Sequence, residues 1–507
     1  MIYRPKIPRK LWDSWLFEWN GAFHLFFIEI IGSDFDTIGH ALSKDLLHWT
    51  DCPSIPFKGK PGEWNEGSTC TGMVVRHEDR FCMFIGANRG DRQVIGIYFS
   101  EDLDNWTPCD DNPILEPIGQ YYLTEPAGPQ FPKVDWRDPF VTYREEDQLY
   151  HMLLFARKPE WNHDDTGAVV AHLKSKDLIN WDVMPPLDAD VSSFYHAEVP
   201  ELFEMNGRYY LLFSTCSMYG VKLNTPTRFD TIGTYYMVSN SIDGPFVLPD
   251  EYMLIGAGGG KMTAYVGRTI VFQGERILYH HVQGDVQGLR GTWGIPKKIG
   301  VESDGSLFLK YLTMMEKLET DIICEAVNKV PCFDVMDLGD WQRDDNVIVG
   351  KAKVCGSSCR ITRDVSDIHL DCRVKCLAGA QAGLVLRSAD GNGVQISLNF
   401  ERQQIEIGMA RKDAKCQLGW GADIVQALNG GGKSLYCDVC RCALQYGKEY
   451  QIRCFARDEH FEIYLDDRWV FTSVLPEANK IGDVELVVER SEAVFSNLRI
   501  AQIEPLP

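Results

Sequence analysis

Apolar and polar residues alternate in short runs along the first 320 residues, and tight polar turns separate pairs of these runs. Asn-Gly between alternating apolar runs is the strongest short-range signal of a β-hairpin. The i, i+3, i+4, i+7 spacing of an amphipathic helix is almost absent from this stretch. The pattern therefore predicts β-hairpins, which cover residues 15–28, 73–85, 140–155, 202–213 and 269–281.

A second pattern, S-x-D-L-x-x-W, recurs between the hairpins. It reads SKDLLHW at 43–49, SEDLDNW at 100–106 and SKDLINW at 175–181, and a looser copy lies at 239–246. A recurrence of roughly 60 residues suits a four-stranded propeller blade with its loops. Together with five hairpins, the repeat predicts an all-β protein with a five-bladed β-propeller, in which the repeat has a structural role.

The blade repeat ends near residue 320, although short strands continue. Runs at 394–400, 404–407, 461–465 and 469–474 alternate with Gly- or Asp-bearing turns, which is typical of a β-sandwich. A chain of 507 residues also exceeds the size at which one core keeps growing. We expect a propeller over 1–320, a linker over 321–345 and a sandwich over 346–507.

Composition narrows the class of partner. A formal charge of -21 disfavours binding to nucleic acid or to anionic membranes, because proteins bind both through basic patches. No apolar run reaches the roughly 18 residues of a membrane span, and no secretion signal follows the first ten residues. These features predict a cytoplasmic location and a neutral small molecule as the partner.

The sixteen cysteines are expected to be reduced thiols buried in strands. The clusters Cys437-x2-Cys440-x-Cys442 and Cys355-x3-Cys359 resemble fragments of metal sites, yet neither has a second ligand set at structural-zinc spacing. The glycine-rich stretch 256–261 lacks the strand-then-helix context of a phosphate loop, so we interpret it as an ordinary loop.

Three acidic residues stand at similar distances before hairpin turns. Asp13 precedes its turn by seven or eight residues, Asp138 by seven to nine, and Glu198 by eight or nine. Equal offsets in different blades place residues at equal depth around a propeller axis, so these acids should converge. Glycoside hydrolysis needs one protonated and one ionised carboxyl group. Glu201 follows Glu198 by three residues, and strand alternation turns it to the opposite face.

At these residues the chain resembles glycoside hydrolase family 32, the β-fructofuranosidases, over nearly its whole length. The family motifs W-M-N-D-P-N-G, R-D-P and E-C-P correspond to residues 11–14, 137–139 and 198–200. Residues 38–49 are similar to the family's W-G-H-A-x-S-x-D-L-x-H-W segment, and residues 461–467 to the sandwich strand V-E-V-F-V-N-D.

The resemblance implies a retaining hydrolase that cleaves a terminal β-D-fructofuranoside from a small oligosaccharide. Asp13 would be the nucleophile and Glu198 the acid/base, while Asp138 and Arg137 would bind ring hydroxyls and stabilise the transition state. No metal or organic cofactor is implied. Whether the chain forms a homo-oligomer stays open.

The chain departs from the family beside its first acid. Trp12 replaces the asparagine before the nucleophile, Ser14 replaces the following proline, and Thr69 begins the segment that replaces F-S-G-S. These positions shape the sugar pocket in the family, so a furanose other than fructose is an open alternative. Candidate substrate-binding residues are Arg137, Trp12, Trp64, Thr69 and His196.

Two other functions remain open on the sequence. An inverting arabinofuranosidase or xylosidase of the family 43 type would use the same strand positions, with carboxyl groups roughly 6.5–9.5 Å apart rather than about 5–5.5 Å. A carbohydrate-binding protein without activity would account for the altered first motif.

Overall fold

The computed structural model describes residues 2–129, 131–160, 166–215, 223–259, 263–283, 291–336, 339–390, 392–411 and 438–505. The chain forms two compact units. The first comprises Met1–Thr225, Asp230–Gly256 and Gly260–Phe308, and the second comprises Pro226–Phe229, Ala257–Gly259 and Leu309–Pro507. The described part of the chain contains no helix that is long and apolar enough to cross a membrane.

The first unit contains four separate antiparallel sheets in which consecutive strands are neighbours. The first sheet consists of β1 (Arg9–Trp19), β2 (Ala22–Ile31), β3 (Asp34–Ser43), β4 (Trp49–Asp51) and β5 (Ile55–Pro56). The second consists of β6 (Thr69–His77), β7 (Arg80–Arg89), β8 (Arg92–Ser100) and β9 (Thr107–Pro108). The third consists of β10 (Trp136–Arg144), β11 (Leu149–Arg157), β12 (Ala168–Ser175) and β13 (Asp182–Met184). The fourth consists of β14 (Glu198–Met205), β15 (Arg208–Thr215), β16 (Ile232–Ser239) and β17 (Met253–Ala257).

A further group of strands continues this series. It consists of β18 (Ala264–Phe272), β19 (Glu275–Val282), β20 (Thr292–Trp293), β21 (Lys297–Val301) and β22 (Leu307–Lys310). All five predicted hairpins are confirmed. Four of these groups form separate sheets, whereas the last group does not. The prediction of five separate blades is corrected to this extent.

The first strands of these groups lie side by side in a ring. β1 contacts β6, β6 contacts β10, β10 contacts β14, β14 contacts β18, and β18 contacts β1. Tyr3 also forms a β-bridge to Trp293 and so links the first group to the last. A closed ring of sheets that each begin at the centre is the architecture of a β-propeller.

The S-x-D-L-x-x-W repeat forms a capped turn after the third strand of a blade. In the first copy, the Ser43 hydroxyl accepts a hydrogen bond from the Leu46 amide at 2.9 Å, and the Asp45 carboxylate accepts two further amides. Leu46 has φ 63°, and the Trp49 indole donates to its carbonyl at 3.2 Å. The other two copies repeat this pattern, so the repeat is structural, as predicted.

Apolar side chains from neighbouring blades fill the space between the sheets. Phe26 and Met83 share one core cluster, Phe84 and Met152 share the next, and blades three and four share a third. Each cluster takes side chains from the inward-facing positions of strands with a period of two. The ring is therefore rigid around its centre, where the first strands meet.

The second unit is also built from antiparallel strands. They are β23 (Glu319–Cys324), β24 (Asp334–Val335), β25 (Asp340–Arg343), β26 (Val347–Val365), β27 (Ile368–Ala389), β28 (Asn392–Asn399), β29 (Gln404–Arg411), β30 (Asp438–Arg441), β31 (Glu449–Arg457), β32 (His460–Leu465), β33 (Arg468–Val474) and β34 (Gly482–Ile503). Two short 3-10 helices span Thr313–Leu318 and Val327–Lys329. The strands surround one large hydrophobic cluster, which is consistent with a sandwich.

The stretch expected to be a linker contains paired strands. β23 pairs with β34, and β24 and β25 pair with β26. The longest segment of the second unit accordingly begins at Leu309, before the expected boundary at 320. Backbone groups of a stretch that enters a core must be hydrogen-bonded, which these pairings achieve.

The cysteines whose side chains the structure describes are free thiols, and most of them are buried. Cys359 is buried on β26, whereas the side chain of Cys355 lies outside the described set. Cys437 of the second cluster and residues 260–261 of the glycine-rich stretch also lie outside the described residues.

Candidate active site

The first strand of every group carries the same irregularity near the propeller centre. At one point in each hairpin, two residues of the first strand oppose a single residue of the second, which is a β-bulge. The bulged pairs are residues 12–13, 70–71, 138–139, 199–200 and 266–267. Bulges bend a strand and re-aim its side chains, and they are frequent next to active sites.

Counting from the bulge gives each residue an equivalent in the other groups. The pre-bulge position holds Leu11, Thr69, Arg137, Glu198 and Tyr265. The first bulge position holds Trp12, Cys70, Asp138, Val199 and Val266. The second bulge position holds Asp13, Thr71, Pro139, Pro200 and Gly267.

The three acids thus occupy three different positions of the repeat. Glu198 precedes its bulge, Asp138 is the first bulge residue with φ 64°, and Asp13 is the second. The prediction that equal offsets place them at equivalent positions needs correction, because the number of residues between the bulge and the turn differs between the hairpins, with six in β1 and five in β14. In a regular strand, neighbouring positions would face opposite sides, and the bulge removes that restriction.

The acids nevertheless line a single cavity of about 360 Å³. Of the eight site residues expected from the sequence, the structure brings seven to this cavity. They are Trp12, Asp13, Thr69, Arg137, Asp138, His196 and Glu198.

Trp64 is the exception, since the described lining of the cavity does not include it. Its ring packs at 5.7 Å from the Phe57 ring and 6.3 Å from the Tyr98 ring, and it covers Gly96, where a Cβ atom would collide with it. Trp64 therefore belongs to the core of the second blade, and its expected contact with substrate is not supported by its position.

Arg137 is the cation at the centre of the site. Its Nη2 donates to Glu198 Oε1 at 2.8 Å, its Nε lies 3.4 Å from Asp138 Oδ2, and its Nη1 donates to Asp135. Arg157, which is itself buried, donates from Nε to the other oxygen of Asp135 at 2.6 Å. Three buried or nearly buried carboxyl groups, those of Asp135, Asp138 and Glu198, thus contact this cation.

Glu198 is held by several donors. Tyr265 Oη donates to Oε2 at 2.6 Å, and His196 Nδ1 lies 3.2 Å from Oε1, the oxygen that Arg137 also contacts. Burial acts to raise the pKa of Glu198, but the hydrogen bond from His196 and the Arg137 charge outweigh it and lower the pKa below its usual value. Glu198 is therefore ionised in the unliganded site.

Asp13 has the opposite electrostatic environment. Thr71, its equivalent in the second blade, donates from Oγ1 to Asp13 Oδ2 at 2.5 Å. Burial raises the pKa of Asp13 well above its usual value, and the charges of Asp138 and Glu198 raise it further. In the unliganded site Asp13 therefore holds a proton more tightly than an ordinary aspartic acid does.

Asp138 lies between these two extremes. Its Oδ2 accepts the Val199 amide at 3.2 Å. Burial raises the pKa of Asp138 to about 6, with the Arg137 charge opposing the shift and the Glu198 charge adding to it. The three acids thus differ in proton affinity, which is the arrangement that acid/base chemistry requires.

Among the residues that sequence reasoning missed, four contact the acids or Arg137: Asp135, Thr71, Tyr265 and His281. Asp135 stands two residues before Arg137, so strand alternation could have placed both on one face. Thr71 and Tyr265 occupy bulge-related positions, which only the register reveals. His281 Nδ1 lies 3.7 Å from Asp13 Oδ1, and no sequence signal points to it.

One side of the cavity is apolar. Trp12, Ile28 and Phe35 line it, and the Trp12 ring lies 6.4 Å from the Phe35 ring. Glu201, expected on the opposite face, is buried away from the described lining, where it accepts the Thr269 amide at 3.0 Å. Among the described residues, no group of three or more His, Cys, Asp or Glu side chains is placed to hold a metal ion.

Residues 14–255 match the family described as glycosyl hydrolases family 32 N-terminal domain. A bifunctional 6(G)-fructosyltransferase/2,1-fructan:2,1-fructan 1-fructosyltransferase of Allium cepa is 29% identical over 181 residues, which are 33% of this chain and 27% of that protein. A β-fructofuranosidase, insoluble isoenzyme 4, of Oryza sativa subsp. japonica is 24% identical over 320 residues, which are 58% of this chain and 51% of that protein. The chain thus spans about half or less of the length of these relatives.

Solved structures share the fold over nearly the whole chain. The exo-inulinase from Aspergillus awamori has a TM-score of 0.66 at 15% identity and covers 99% of this chain and 97% of its own. A GH32 β-fructofuranosidase of Bombyx mori has a TM-score of 0.63 at 15% identity and covers 98% of this chain and 94% of its own. At such identities the likeness establishes the all-β fold with its propeller.

Proposed function

This chain belongs to glycoside hydrolase family 32, and from that premise we propose that it hydrolyses the bond between a terminal furanose and the rest of a small oligosaccharide. A β-D-fructofuranoside is the favoured substrate, because the Oryza sativa relative is a β-fructofuranosidase. A further relative, from Hordeum vulgare, is a fructan 1-exohydrolase. The observation that carries the proposal is the convergence of Asp13, Asp138 and Glu198 on one cavity around Arg137.

In the proposed reaction, a carboxylate oxygen of Asp13 forms a bond to the anomeric carbon. The glycosidic C–O bond breaks, its electron pair moves to the leaving oxygen, and Glu198 gives that oxygen a proton. Glu198 then takes a proton from water, and the resulting hydroxide oxygen displaces Asp13 from the anomeric carbon. The sugar leaves with its configuration retained, and Asp13 is free again.

These roles require a proton on Glu198 and none on Asp13 at the moment of bond cleavage. In the unliganded site the preference is reversed, since the pKa of Asp13 is raised and that of Glu198 lowered. The two acids are coupled, because each charge raises the pKa of the other carboxyl group. A glycosidic oxygen near Glu198 accepts a hydrogen bond only from its protonated form, so substrate binding draws the proton towards Glu198.

Asp138 and Arg137 have supporting roles in this proposal. Asp138 presents a carboxylate to the ring hydroxyls, and Arg137 fixes the orientation of Asp138 and Glu198 at once. A partly ionised Asp138 also stabilises the positive charge that develops on the ring in the transition state. Neither residue needs to exchange a proton during the reaction.

The apolar side of the cavity bears on which furanose is bound. Trp12 stands where the family motif has an asparagine, and Ile28 stands where the family resemblance leads one to expect a glutamine. A sugar held here loses hydrogen bonds at these two positions and gains contact with an aromatic ring, which suits the C–H face of a furanose.

We also propose that β18–β22 act as the fifth blade, since Tyr265 and His281 of this group reach the acids.

A substrate screen tests the proposal. Purified protein is assayed with sucrose, inulin-type and levan-type oligosaccharides, and with aryl fructofuranosides and arabinofuranosides. We expect release of a terminal furanose, and a loss of about 10²–10⁴-fold in kcat for Glu198→Gln because general acid/base assistance is removed. Glu201→Gln is the matched control, since Glu201 is a buried carboxyl group on the same strand outside the lining of the cavity.

The outcomes separate the candidate functions. Hydrolysis with retained configuration at the anomeric carbon supports the proposal, whereas inverted configuration identifies the family 43 type of mechanism. The absence of hydrolysis of any furanoside, together with binding of one, would identify a carbohydrate-binding protein and refute the proposed activity.

A further inference from the structure

The nucleophile of the proposed reaction has one unused acceptor. Asp13 Oδ2 accepts the Thr71 hydroxyl, but Asp13 Oδ1 is buried and has no hydrogen-bond partner in the described structure. A protonated carboxyl group tolerates this, since its charge is neutralised. An ionised carboxylate with a buried oxygen that accepts no hydrogen bond is unfavourable, because a buried charge that loses a hydrogen bond keeps the full cost of its desolvation.

A second unpaired group faces this oxygen. The imidazole of His281, on β19, is fully buried, and its ring nitrogens make no hydrogen bond of ordinary geometry in the described structure, the Gln283 side chain being the nearby polar group that acts on the ring. Its Nδ1 lies 3.7 Å from Asp13 Oδ1. Buried polar groups in proteins are nearly always paired, so two complementary unpaired groups this close call for an explanation.

Aromatic neighbours fix the plane of the His281 ring. The Trp12 ring lies 5.6 Å from it at an interplanar angle of 32°, and the Tyr265 ring lies 5.9 Å from it at 71°. A hydrogen bond requires a separation of about 2.7–3.2 Å. The gap therefore closes with a shift of less than about 1 Å, which a change in Asp13 rotamer supplies without moving the packed ring.

We propose that His281 is a positioning residue for Asp13, and that its Nδ1–H donates a hydrogen bond to Asp13 Oδ1 when that carboxyl group ionises to attack the sugar. The inference rests on the proposed function, which makes Asp13 the nucleophile. With Thr71 on one oxygen and His281 on the other, the carboxylate is held at both ends. No proton is transferred, because the imidazole acts only as a donor.

The charges around the pair are consistent with this role. Asp13 faces Asp138 and Glu198, which oppose its ionisation, and Arg137, which favours it. Burial lowers the pKa of His281 to about 4, while a side-chain hydrogen-bonding interaction with Gln283 and the charge of Glu198 oppose the shift. The ring is therefore neutral at working pH and carries one N–H, which is sufficient for one hydrogen bond.

Two substitutions at His281 separate hydrogen bonding from packing. His281→Phe keeps a planar ring between Trp12 and Tyr265 but removes the donor. His281→Asn loses the ring but places an amide N–H where Nδ1 stands. We expect His281→Phe to lower kcat/KM by about 10–100-fold and to move the acid limb of its pH profile up by about one unit, as loss of one charged hydrogen bond implies. His281→Asn should restore most of both quantities, with KM nearly unchanged in each variant.

A measurement that needs no activity tests the same point. The ionisation of Asp13 is followed by infrared difference spectroscopy of carboxyl-labelled aspartate, with Asp13→Asn as the subtraction reference. The midpoint should be higher in His281→Phe than in wild type, and close to wild type in His281→Asn. Equal midpoints in all three proteins would overturn the role of His281, even if hydrolysis by Asp13 and Glu198 is established. If wild type hydrolyses no furanoside, the proposed function fails, and a shifted midpoint would still support the hydrogen bond to Asp13.

Discussion

Replacing Arg137 with glutamine should destabilise the first unit more than any single change at its surface. The guanidinium is 8% exposed and contacts Asp135, Asp138 and Glu198. Breaking a buried ion pair by removing one partner costs about 3–5 kcal/mol, because the remaining charges stay buried. A unit of this size loses about 2 °C in melting temperature per kcal/mol, so we expect a decrease of about 6–10 °C near pH 7.

The loss should depend on pH in a defined direction. In the wild type, burial acts to raise the folded-state pKa values of Glu198 and Asp135, but neighbouring groups lower both. His196 and Arg137 lower the pKa of Glu198, and Arg137 and Arg157 lower that of Asp135. Both groups therefore stabilise the folded state above their unfolded-state pKa values of about 4, and this stabilisation is lost as the pH falls. Without Arg137 these carboxyl groups take up protons more readily, so the difference from wild type should shrink near pH 4.

Arg144→Gln is the matched control for this experiment. Arg144 lies on the same strand, is 6% exposed, and pairs with Asp243, whose side chain is 68% exposed. A pair with an exposed partner is screened by solvent and contributes about 1 kcal/mol or less. Thermal unfolding followed by circular dichroism decides the matter. A decrease of less than about 2 °C for Arg137→Gln, or equal decreases at both pH values, would refute the reasoning.

Two further substitutions test single contacts. Tyr265→Phe removes a 2.6 Å hydrogen bond to Glu198. The pKa of Glu198 should therefore rise by about 1–2 units, and the limb of the pH profile of kcat/KM that reports this pKa should move with it. Tyr279→Phe is the control and should leave the pH profile unchanged. Burial and the neighbouring His24 lower the pKa of His40 to about 3, so the folded state loses stability as the pH falls below the unfolded value of about 6.5. His40→Gln should therefore remove about 2 kcal/mol of the decrease in stability between about pH 7 and pH 5, measured by chemical unfolding, and an unchanged decrease would contradict this explanation.

The sequence was sufficient for the hairpins, because Asn206-Gly207 and Asn20-Gly21 demand a tight turn whatever surrounds them. The motif resemblance also marked three acids that line one cavity in the structure. It could not provide the bulges, since a strand with one inserted residue has nearly the same alternation as a regular strand. For this reason Tyr265 and His281 could not be found, as their relation to Glu198 and Asp13 depends on register between strands far apart in the chain.

The bulge explains why Asp13 holds a proton more tightly than Glu198 in the unliganded site. Arg137, Glu198 and Tyr265 hold the pre-bulge position in consecutive groups, and they form a continuous row of hydrogen bonds at 2.8 and 2.6 Å. Asp13 holds the second bulge position, where its equivalent neighbour Thr71 is uncharged. The cation and most donors are thus concentrated in the row that contains Glu198, which favours the ionised form there. Asp13 must obtain its stabilisation from outside that row, and His281 Nδ1, 3.7 Å from Asp13 Oδ1, is the group that we propose supplies it.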